Sequence, residues 1–451
     1  MLLTAALAVM LVPLNSTMIA VAIPDIGRDF GGNAGSATWL VSGYLIVMAS
    51  LQPLAGKLGD RHGRRPLILV GLAWFAAASL GAALAPSLPV LIGFRLQQAV
   101  AGALAFPNAL AVVREVLPKE RRGAAFGTLG SAIGLAAATG PPLGGALVAL
   151  GGWRAIFLVN LPWVALTLLL VSRAVPVGLG GRRRGRLDWT GAVGLTALLG
   201  GWAWLLNPGD VPLWLVLAAI VAAVLALVAF VRYELAHPDP VLQPRFLRVK
   251  PFAAATASMG LSNLALYGTL LAVPVLLSQR NGWSSGEIGL ALAALSVPMV
   301  LLSPVGGGMS DRFGRRGTAS AGLVLLGAAM FALAVTGSSV SAPLLVGWLL
   351  CAGAGVGLSN SPIQTAGVEA LDSGDAGVAS GLLSTGRYLG GIAAASLVAA
   401  SVTGDGGGDY ATLFALAAAA AWLAAVLAIG LPGRPRLVPP SVQEATRTRA
   451  S

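Results

Sequence analysis

The chain has 451 residues, of which 56% are hydrophobic and only 10% are charged. A soluble protein of this length has too little interior to bury that much apolar surface, so the composition excludes the soluble globular class and favours an integral membrane protein. The formal net charge of +12 would suit a nucleic-acid-binding protein, but the basic residues lie in loops between apolar segments, as membrane topology requires, and no nucleic-acid partner is expected.

Fourteen apolar segments follow one another along the chain, and each is long enough to cross a bilayer with some tilt. The first segment lacks a basic n-region, so we predict a retained helix and not a cleaved signal peptide. The predicted spans are 4–24, 36–56, 66–85, 87–113, 122–148, 153–173, 188–206, 211–231, 253–279, 286–308, 317–336, 342–368, 377–402 and 410–431.

Lysine and arginine are distributed unevenly between the two sides of these segments. The loops after the even-numbered segments, together with the tail, hold 24 of the 29 basic residues, whereas the opposite loops hold Arg28, Arg154 and Arg280. Basic loops are retained in the cytoplasm. We therefore predict a multi-pass protein of the plasma membrane with both termini cytoplasmic.

A short charged loop occurs twice, as Gly-Lys-Leu-Gly-Asp-Arg-His-Gly-Arg-Arg after segment 2 and as Gly-Gly-Met-Ser-Asp-Arg-Phe-Gly-Arg-Arg after segment 10. The copies are 251 positions apart, which is more than six helices need, so we predict two related halves with two inserted helices between them. The predicted domains are an N-terminal six-helix bundle (1–173), a basic link with the inserted helices and a linker (174–250), a C-terminal six-helix bundle (251–433) and a cytoplasmic tail (434–451).

Several possible kinds of site are excluded. The single cysteine, Cys351, excludes an intramolecular disulfide. His62 and His237 have no neighbours at metal-ligand spacing, so no metal site is expected. No Gly-x-x-x-x-Gly-Lys-Ser/Thr loop occurs, which disfavours an ATP-driven pump. Neither a cofactor nor an enzymatic activity is predicted.

Four patterns, in this order and spacing, resemble those of the major facilitator superfamily, and the chain is similar over nearly its whole length to the 14-helix drug:proton antiporter family. They are Gly56 to Arg65 in the first charged loop, Arg95-x-x-Gln98 in segment 4, Gly134 with Gly140-Pro141-Pro142-Leu143-Gly144-Gly145 in segment 5, and Trp153 to Pro162 at the start of segment 6. The resemblance implies an all-α membrane protein of 14 transmembrane helices. It also implies efflux of small amphipathic molecules of drug or antibiotic type by alternating access, in exchange for protons.

We interpret the two charged loops as a conformational latch, because in the resembled family this cluster joins the halves on the cytoplasmic side and breaks on switching. Plain topology, in which basic residues hold a loop inside, is the alternative. The recurrence of an aspartate among the bases favours the latch. The predicted latch residues are Gly56, Asp60, Arg61, Gly63, Arg64, Arg65, Asp311, Arg312, Arg315 and Arg316.

The glycine-rich fifth segment is expected to permit close helix contact, and its proline to permit a bend. The resemblance implies that this is the motif of antiporters, and tight packing alone is the alternative. Its residues are Gly134, Gly140, Pro141, Gly144 and Gly145.

Arg95 lies roughly 12 Å deep in segment 4, counting 1.5 Å per residue. A charge at that depth is expected to face a polar cavity or a partner. Gln98 is one turn away and Asn15 lies at a similar depth in segment 1, so we predict that the three share a polar patch facing the cavity. An arginine satisfied by backbone carbonyls is the alternative. Arg387 is a further cavity candidate.

The chain departs from the resembled family at Asn15, where the family usually has a protonatable aspartate. None of the 17 acidic residues lies near the centre of a predicted segment. Proton coupling must therefore use a peripheral acid, with Asp25 the first candidate and Glu287 the second, or be absent. A cavity with arginine but no carboxylate disfavours cations, so a neutral or anionic lipophilic substrate is predicted for a protein expected to be a monomer. A proton-independent facilitator and a non-transporting membrane sensor remain alternatives.

Overall fold

A computed structural model describes residues 1–31, 37–180, 188–205, 211–237, 240–336, 341–371, 376–402 and 409–433. Within these ranges the chain is overwhelmingly helical and contains no β-strand. The basic link from Arg182 to Arg186 and the predicted tail 434–451 lie outside the described residues.

The described chain forms fifteen α-helices, and a 3₁₀ helix at Pro244–Arg248 lies between α9 and α10. They are α1 Leu2–Asp29, α2 Trp39–His62, α3 Arg64–Ala83, α4 Leu88–Val116, α5 Lys119–Gly151, α6 Ala155–Leu158, α7 Asn160–Ala174, α8 Trp189–Leu205, α9 Leu213–Ala236, α10 Lys250–Asn281, α11 Ser285–Phe313, α12 Arg315–Thr336, α13 Ala342–Glu369, α14 Ala376–Val402 and α15 Tyr410–Leu427.

Thirteen segments of the described chain are long and apolar enough to cross a membrane, with α6 and α7 counted as one span, Ala155–Ala174. The remaining helix, α8, has 17 residues within the described chain and coincides with the seventh predicted span. Each of the fourteen predicted spans therefore corresponds to a helical segment.

Each repeated charged loop is a turn made by a single glycine. Gly63 ends α2 with a φ of 97°, and Gly314 ends α11 with a φ of 95°. Side chains with a Cβ rarely adopt this conformation, whereas glycine does so without strain. The next helix begins at the following residue, Arg64 or Arg315, so the basic side chains emerge where two helices meet.

Two six-helix bundles follow from the packing. In the first, α1 packs on α5, and α4 packs on α2 and α3. In the second, α10 packs on α14, and α13 packs on α11 and α12. The bundles meet where α5 contacts α11, α2 contacts α14 and α1 contacts α10. The inserted helix α8 lies against α2 and α9, and α9 is exposed along most of its length, as a helix facing lipid would be.

Candidate functional site

A chain of buried polar side chains crosses the N-terminal bundle. Nη1 of Arg95 donates to Oε1 of Gln98 at 2.9 Å, and Nε2 of Gln98 donates to Oγ of Ser79 at 2.7 Å. Nδ2 of Asn160 lies 3.4 Å from the same Ser79 oxygen and donates to Oδ1 of Asn15 at 3.2 Å. The structure thus connects Asn15, Gln98 and Arg95, and adds Ser79 and Asn160, neither of which was predicted to belong to this patch.

Arg95 is closed off in the described arrangement, so its predicted place facing the cavity remains a prediction. The residue is only 1% exposed, its Nε donates to the Leu40 carbonyl at 3.2 Å, and its guanidinium lies 4.4 Å from the centre of the Tyr44 ring. Helix α2 supplies both contacts and covers the charge. Nη2 of Arg95, the Tyr44 hydroxyl and Nδ2 of Asn15 are buried without hydrogen-bond partners in the described structure.

Polar side chains also meet between the two bundles. The hydroxyls of Ser16 and Tyr267 lie 3.4 Å apart, and Nε2 of Gln52 donates to the Tyr388 hydroxyl at 2.9 Å. Ser16 and Tyr267 are 251 positions apart, the same offset as the charged loops. They therefore occupy equivalent places on α1 and α10, where the two halves face each other.

Arg387 lies beside this interface, on α14. Its Nη2 donates to Oε1 of Gln364 at 3.3 Å and lies 3.9 Å from the Met259 sulfur. The side chain is only partly buried, unlike Arg95. Of the two arginines predicted for the cavity, Arg387 is thus the more accessible.

Arg64 is the centre of the first charged loop. It forms an ion pair with Asp60 and another with Glu115, at 2.9 Å between Nε and Oε1, and its side chain is only 3% exposed. Nη1 also donates to Oδ1 of Asn108 and to the Gly56 carbonyl, both at 3.1 Å. One guanidinium thereby holds α2, α3 and α4 together.

Arg315 has the equivalent place in the second loop. Its Nε and Nη2 donate to the two carboxylate oxygens of Glu369 at 2.8 and 2.5 Å, and Asp311 lies 3.6 Å away. Arg64 and Arg315 each contact one acid on the preceding helix and one acid on the following helix. These ion pairs therefore connect helices within one bundle. The predicted latch requires contacts between the two bundles, and these ion pairs do not join the bundles. The latch role therefore remains a prediction.

The other predicted latch residues have separate places. Arg65 Nη2 donates to the Ser172 carbonyl at 2.5 Å, and Arg316 Nε donates to the Leu431 carbonyl at 3.2 Å, again within one bundle. Arg61 is exposed, and Arg312 lies 5.3 Å from the ring of Phe313 beside it.

The glycines of α5 form two packing surfaces. A Cβ on Gly144 would lie 2.8 Å from the Met18 carbonyl of α1, and Gly140 packs against the same helix. A Cβ on Gly145 would lie 2.7 Å from the Cα of Gly289 on α11, in the other bundle. Pro141, one turn earlier, presents its carbonyl to Gly289. One side of the motif therefore allows the two bundles to touch.

Replacing Gly145 by alanine should push α5 and α11 apart at this contact, because the new methyl group meets backbone atoms that cannot rotate away. We expect a longer distance between spin labels placed at the exposed Leu150 and Leu290 in a background without the native cysteine. Gly134→Ala is the matched control, since nothing lies within 4 Å of a Cβ at Gly134. Equal label distances in both variants would contradict the packing role.

The two candidate coupling acids lie near the end opposite the charged loops. Asp25 pairs with Arg28 and accepts a hydrogen bond from Ser285 of the other bundle. Glu287 caps α11 instead: its Oε2 accepts from the backbone N–H of Ser284 at 2.8 Å, in a capping box. Helix capping accounts for Glu287, whereas Asp25 lies where the bundles meet.

Two bundles of six membrane-spanning helices, with polar side chains meeting between them, are the architecture of a secondary transporter. The profile of the Major Facilitator Superfamily matches residues 5–244 and 252–451, and the chain belongs to that family. It is a multi-pass membrane transporter and not an enzyme.

Relatives include proteins named for export and resistance. The chain is 33% identical to an uncharacterised MFS-type transporter of Bacillus subtilis, YvkA, over 94% of both chains. It is 32% identical to the tetracenomycin C resistance and export protein of Streptomyces glaucescens, covering 90% of this chain and 76% of that one. It is also 32% identical to the multidrug resistance protein Stp of Mycobacterium tuberculosis, covering 97% of this chain and 78% of that one. The crystal structure of a D-xylose-proton symporter superimposes with a TM-score of 0.71, covering 96% of this chain and 97% of that one. At 16% sequence identity, it shares the fold.

Proposed function

We propose that the protein exports small amphipathic molecules of drug or antibiotic type by alternating access, in exchange for protons. The observation that carries the proposal is the set of polar contacts between α1 and α10 and between α2 and α14, at mid-depth between two bundles. A transporter binds its substrate at such a place and rocks its bundles around it. Two relatives named for export or multidrug resistance support the drug class.

The charge of this region favours a neutral or anionic cargo. Arg387 is partly accessible beside Gln364, and Arg95 lies buried behind Tyr44. The ion pairs formed by the described residues lie near helix ends and include neither Arg95 nor Arg387. No carboxylate of the described residues therefore offsets either charge. A permanently cationic molecule would be repelled by these arginines and would meet no offsetting carboxylate among the described residues. High-affinity efflux of ethidium would therefore contradict this part of the proposal.

Several contacts that join the two bundles lie on the same side of the membrane. Gly145 with Gly289, Asp25 with Ser285, and Leu45 with Gly391 bring the bundles together toward the end opposite the charged loops. The charged loops mark the cytoplasmic side under the positive-inside rule, with both termini on that side. We infer that the described arrangement is closed outside and receives cargo from the cytoplasm or inner leaflet.

A proton-independent facilitator is the second candidate, and Asn15 favours it. The side chain is wholly buried and its Oδ1 accepts from Asn160, so a neutral amide fills the place of a titrating acid. Asp25 is the acid we propose for coupling, because protonation would weaken both its pair with Arg28 and its bond to Ser285 across the bundles.

Everted vesicles that enclose a pH dye distinguish the two candidates. Adding a lipophilic antibiotic should cause proton movement in the native protein and none in Asp25→Asn. Asp29→Asn is the matched control, because Asp29 ends the same helix but accepts from Trp153 and Arg154 within its own bundle. Substrate flux without proton movement in the native protein would make it a facilitator.

A further inference from the structure

Two buried carboxylates meet at the inserted helix pair, outside the region between the bundles. Asp188 precedes α8 and is 3% exposed, and Glu234 lies near the end of α9 and is 1% exposed. Both lie at the end of the molecule that carries the charged loops. The ion pairs and bundle contacts described above use neither of them.

Each carboxylate has one oxygen bound and one oxygen left over. Oδ1 of Asp188 accepts from the Gly191 N–H at 2.8 Å and from the Tyr233 hydroxyl at 2.7 Å. Oε2 of Glu234 accepts from the Leu242 N–H at 2.7 Å. Oδ2 of Asp188 and Oε1 of Glu234 are buried without a hydrogen-bond partner in the described structure.

The two remaining oxygens face the same point. A Cβ on Gly191 would lie 2.6 Å from Oε1 of Glu234 and closer still to Oδ2 of Asp188. The oxygens are therefore within about 5 Å of each other, a range in which two like charges oppose each other's ionisation. A proton on one carboxyl would remove one of the two charges, and the resulting O–H would donate to the other carboxyl once the two oxygens come within hydrogen-bond distance.

We propose that Glu234 carries a proton directed toward the carboxylate of Asp188, and that this proton holds in place the linker that leads into the C-terminal bundle. A metal ion fits less well, because hard cations take about six or more oxygen ligands and the described residues offer only these two unpartnered carboxylate oxygens. Among the described residues, no group of three histidine, cysteine or acidic side chains is placed to hold a metal.

Titratable side chains around the two carboxylates connect them with water and with the linker. His237 is partly exposed, and its Nδ1 lies 3.9 Å from Oδ2 of Asp188, so it connects the pair with water. Lys57, Tyr233 and His237 are the other titratable groups that face the pair in the described chain. Lys57 Nζ also donates to the Pro240 carbonyl at 3.1 Å, at the start of the linker.

Loss of the proton would leave two buried negative charges side by side, so Glu234 would turn toward water and release the Leu242 N–H. The linker would then lose the hydrogen bond at Leu242, whereas the bond from Lys57 to Pro240 and the apolar packing of Val241 would remain. The pair is thus a proton-dependent fastening between α9 and the segment that leads into α10.

Infrared difference spectra of the full chain in lipid nanodiscs, recorded at acid and alkaline pH, test the site. We expect a carbonyl band of a buried protonated carboxyl that disappears at alkaline pH in the native protein, and its loss in both Asp188→Asn and Glu234→Gln. Asp409→Asn is the matched control and should keep the band, because Asp409 caps α15 through the Thr412 N–H at 2.9 Å without a second carboxylate. A band retained in both acid variants, or absent from the native spectra, would overturn the proposal.

A pair of glycine variants leaves both acids intact. Gly191→Ala places a methyl group between the two oxygens and should abolish the band, whereas Gly194→Ala meets only the Phe230 ring at 3.5 Å and should retain it. A spin label at Gln243 should become more mobile as pH rises in the native protein but stay immobile in Glu234→Gln, since the amide supplies a permanent donor. Identical mobility curves would disprove the fastening. Neither readout depends on the cargo, so the proposed proton can fail while the transport proposal stands.

Discussion

Replacing Arg95 by leucine should leave the protein folded but reduce efflux of an anionic substrate about tenfold or more, since a hydrogen bond to a charged group contributes about 1.5–3 kcal/mol. The guanidinium is buried without a carboxylate partner among the described residues, and an apolar side chain removes its desolvation cost. A charge retained at such a cost is expected to act on substrate or on a neighbour that moves. Substrate efflux from vesicles and thermal unfolding of the purified protein measure the two effects.

Arg154→Leu is the matched control. Arg154 also stacks on an aromatic ring, at 4.1 Å from the centre of Trp153, but it is surface-exposed and pairs with Asp29 at 3.4 Å. Exposed pairs contribute little, so this variant should transport normally. Arg95→Lys should fall between the two, because lysine keeps the charge but cannot reach both Leu40 and Gln98 in the same geometry. Normal efflux by Arg95→Leu would show that the arginine only fills space.

Arg64→Ala should lower the free energy of unfolding by about 2 kcal/mol, less than the roughly 3–5 kcal/mol for a fully buried ion pair, because Asp60 and Glu115 are both partly exposed. The loss has three sources: two carboxylates lose their partner, Oδ1 of Asn108 loses a donor, and α2, α3 and α4 lose a common contact. A lowered unfolding temperature in detergent would measure it. Arg315→Ala should behave alike, through Glu369.

Arg61→Ala controls for net charge, because it removes a base from the same loop at an exposed position. It should change stability by less than about 0.5 kcal/mol. Transport separates the two roles of the loop. If Arg64→Ala transports normally once folded, the cluster is only a clamp within the bundle. Loss of transport at normal stability would favour the predicted latch between bundles.

The polar network of the N-terminal bundle could be predicted only in part from the sequence. Counting residues from the segment ends placed Asn15 and Arg95 at similar depth, and the structure connects them. Ser79 and Asn160, which complete the connection, are uncharged polar residues in apolar segments, and nothing in their spacing indicated that they face Asn15 and Gln98. Depth follows from residue number, but the direction a side chain faces depends on how each helix is rotated in the bundle.

For the charged loops, the local conformation follows from the sequence but the ion-pair partners do not. Their repetition identified two related halves, and the glycine turns at Gly63 and Gly314 follow from residue type alone. Their partners did not follow, because Glu115 and Glu369 lie on helices distant in sequence. Asp188 and Glu234 were likewise 46 positions apart in number and near segment ends, so nothing in the sequence indicated that they meet.

The sequence by itself determined the number of spans, the repeat, the glycine turns and the family. These depend on quantities read along one dimension: the thickness of hydrocarbon to be crossed, the placement of basic residues and the residue types that permit a turn. Only the tertiary structure decided that Arg95 is covered by α2, that Gly145 touches Gly289 and that two carboxylates share one buried point. Contacts of that kind depend on the rotation and packing of helices against each other, which no single segment encodes.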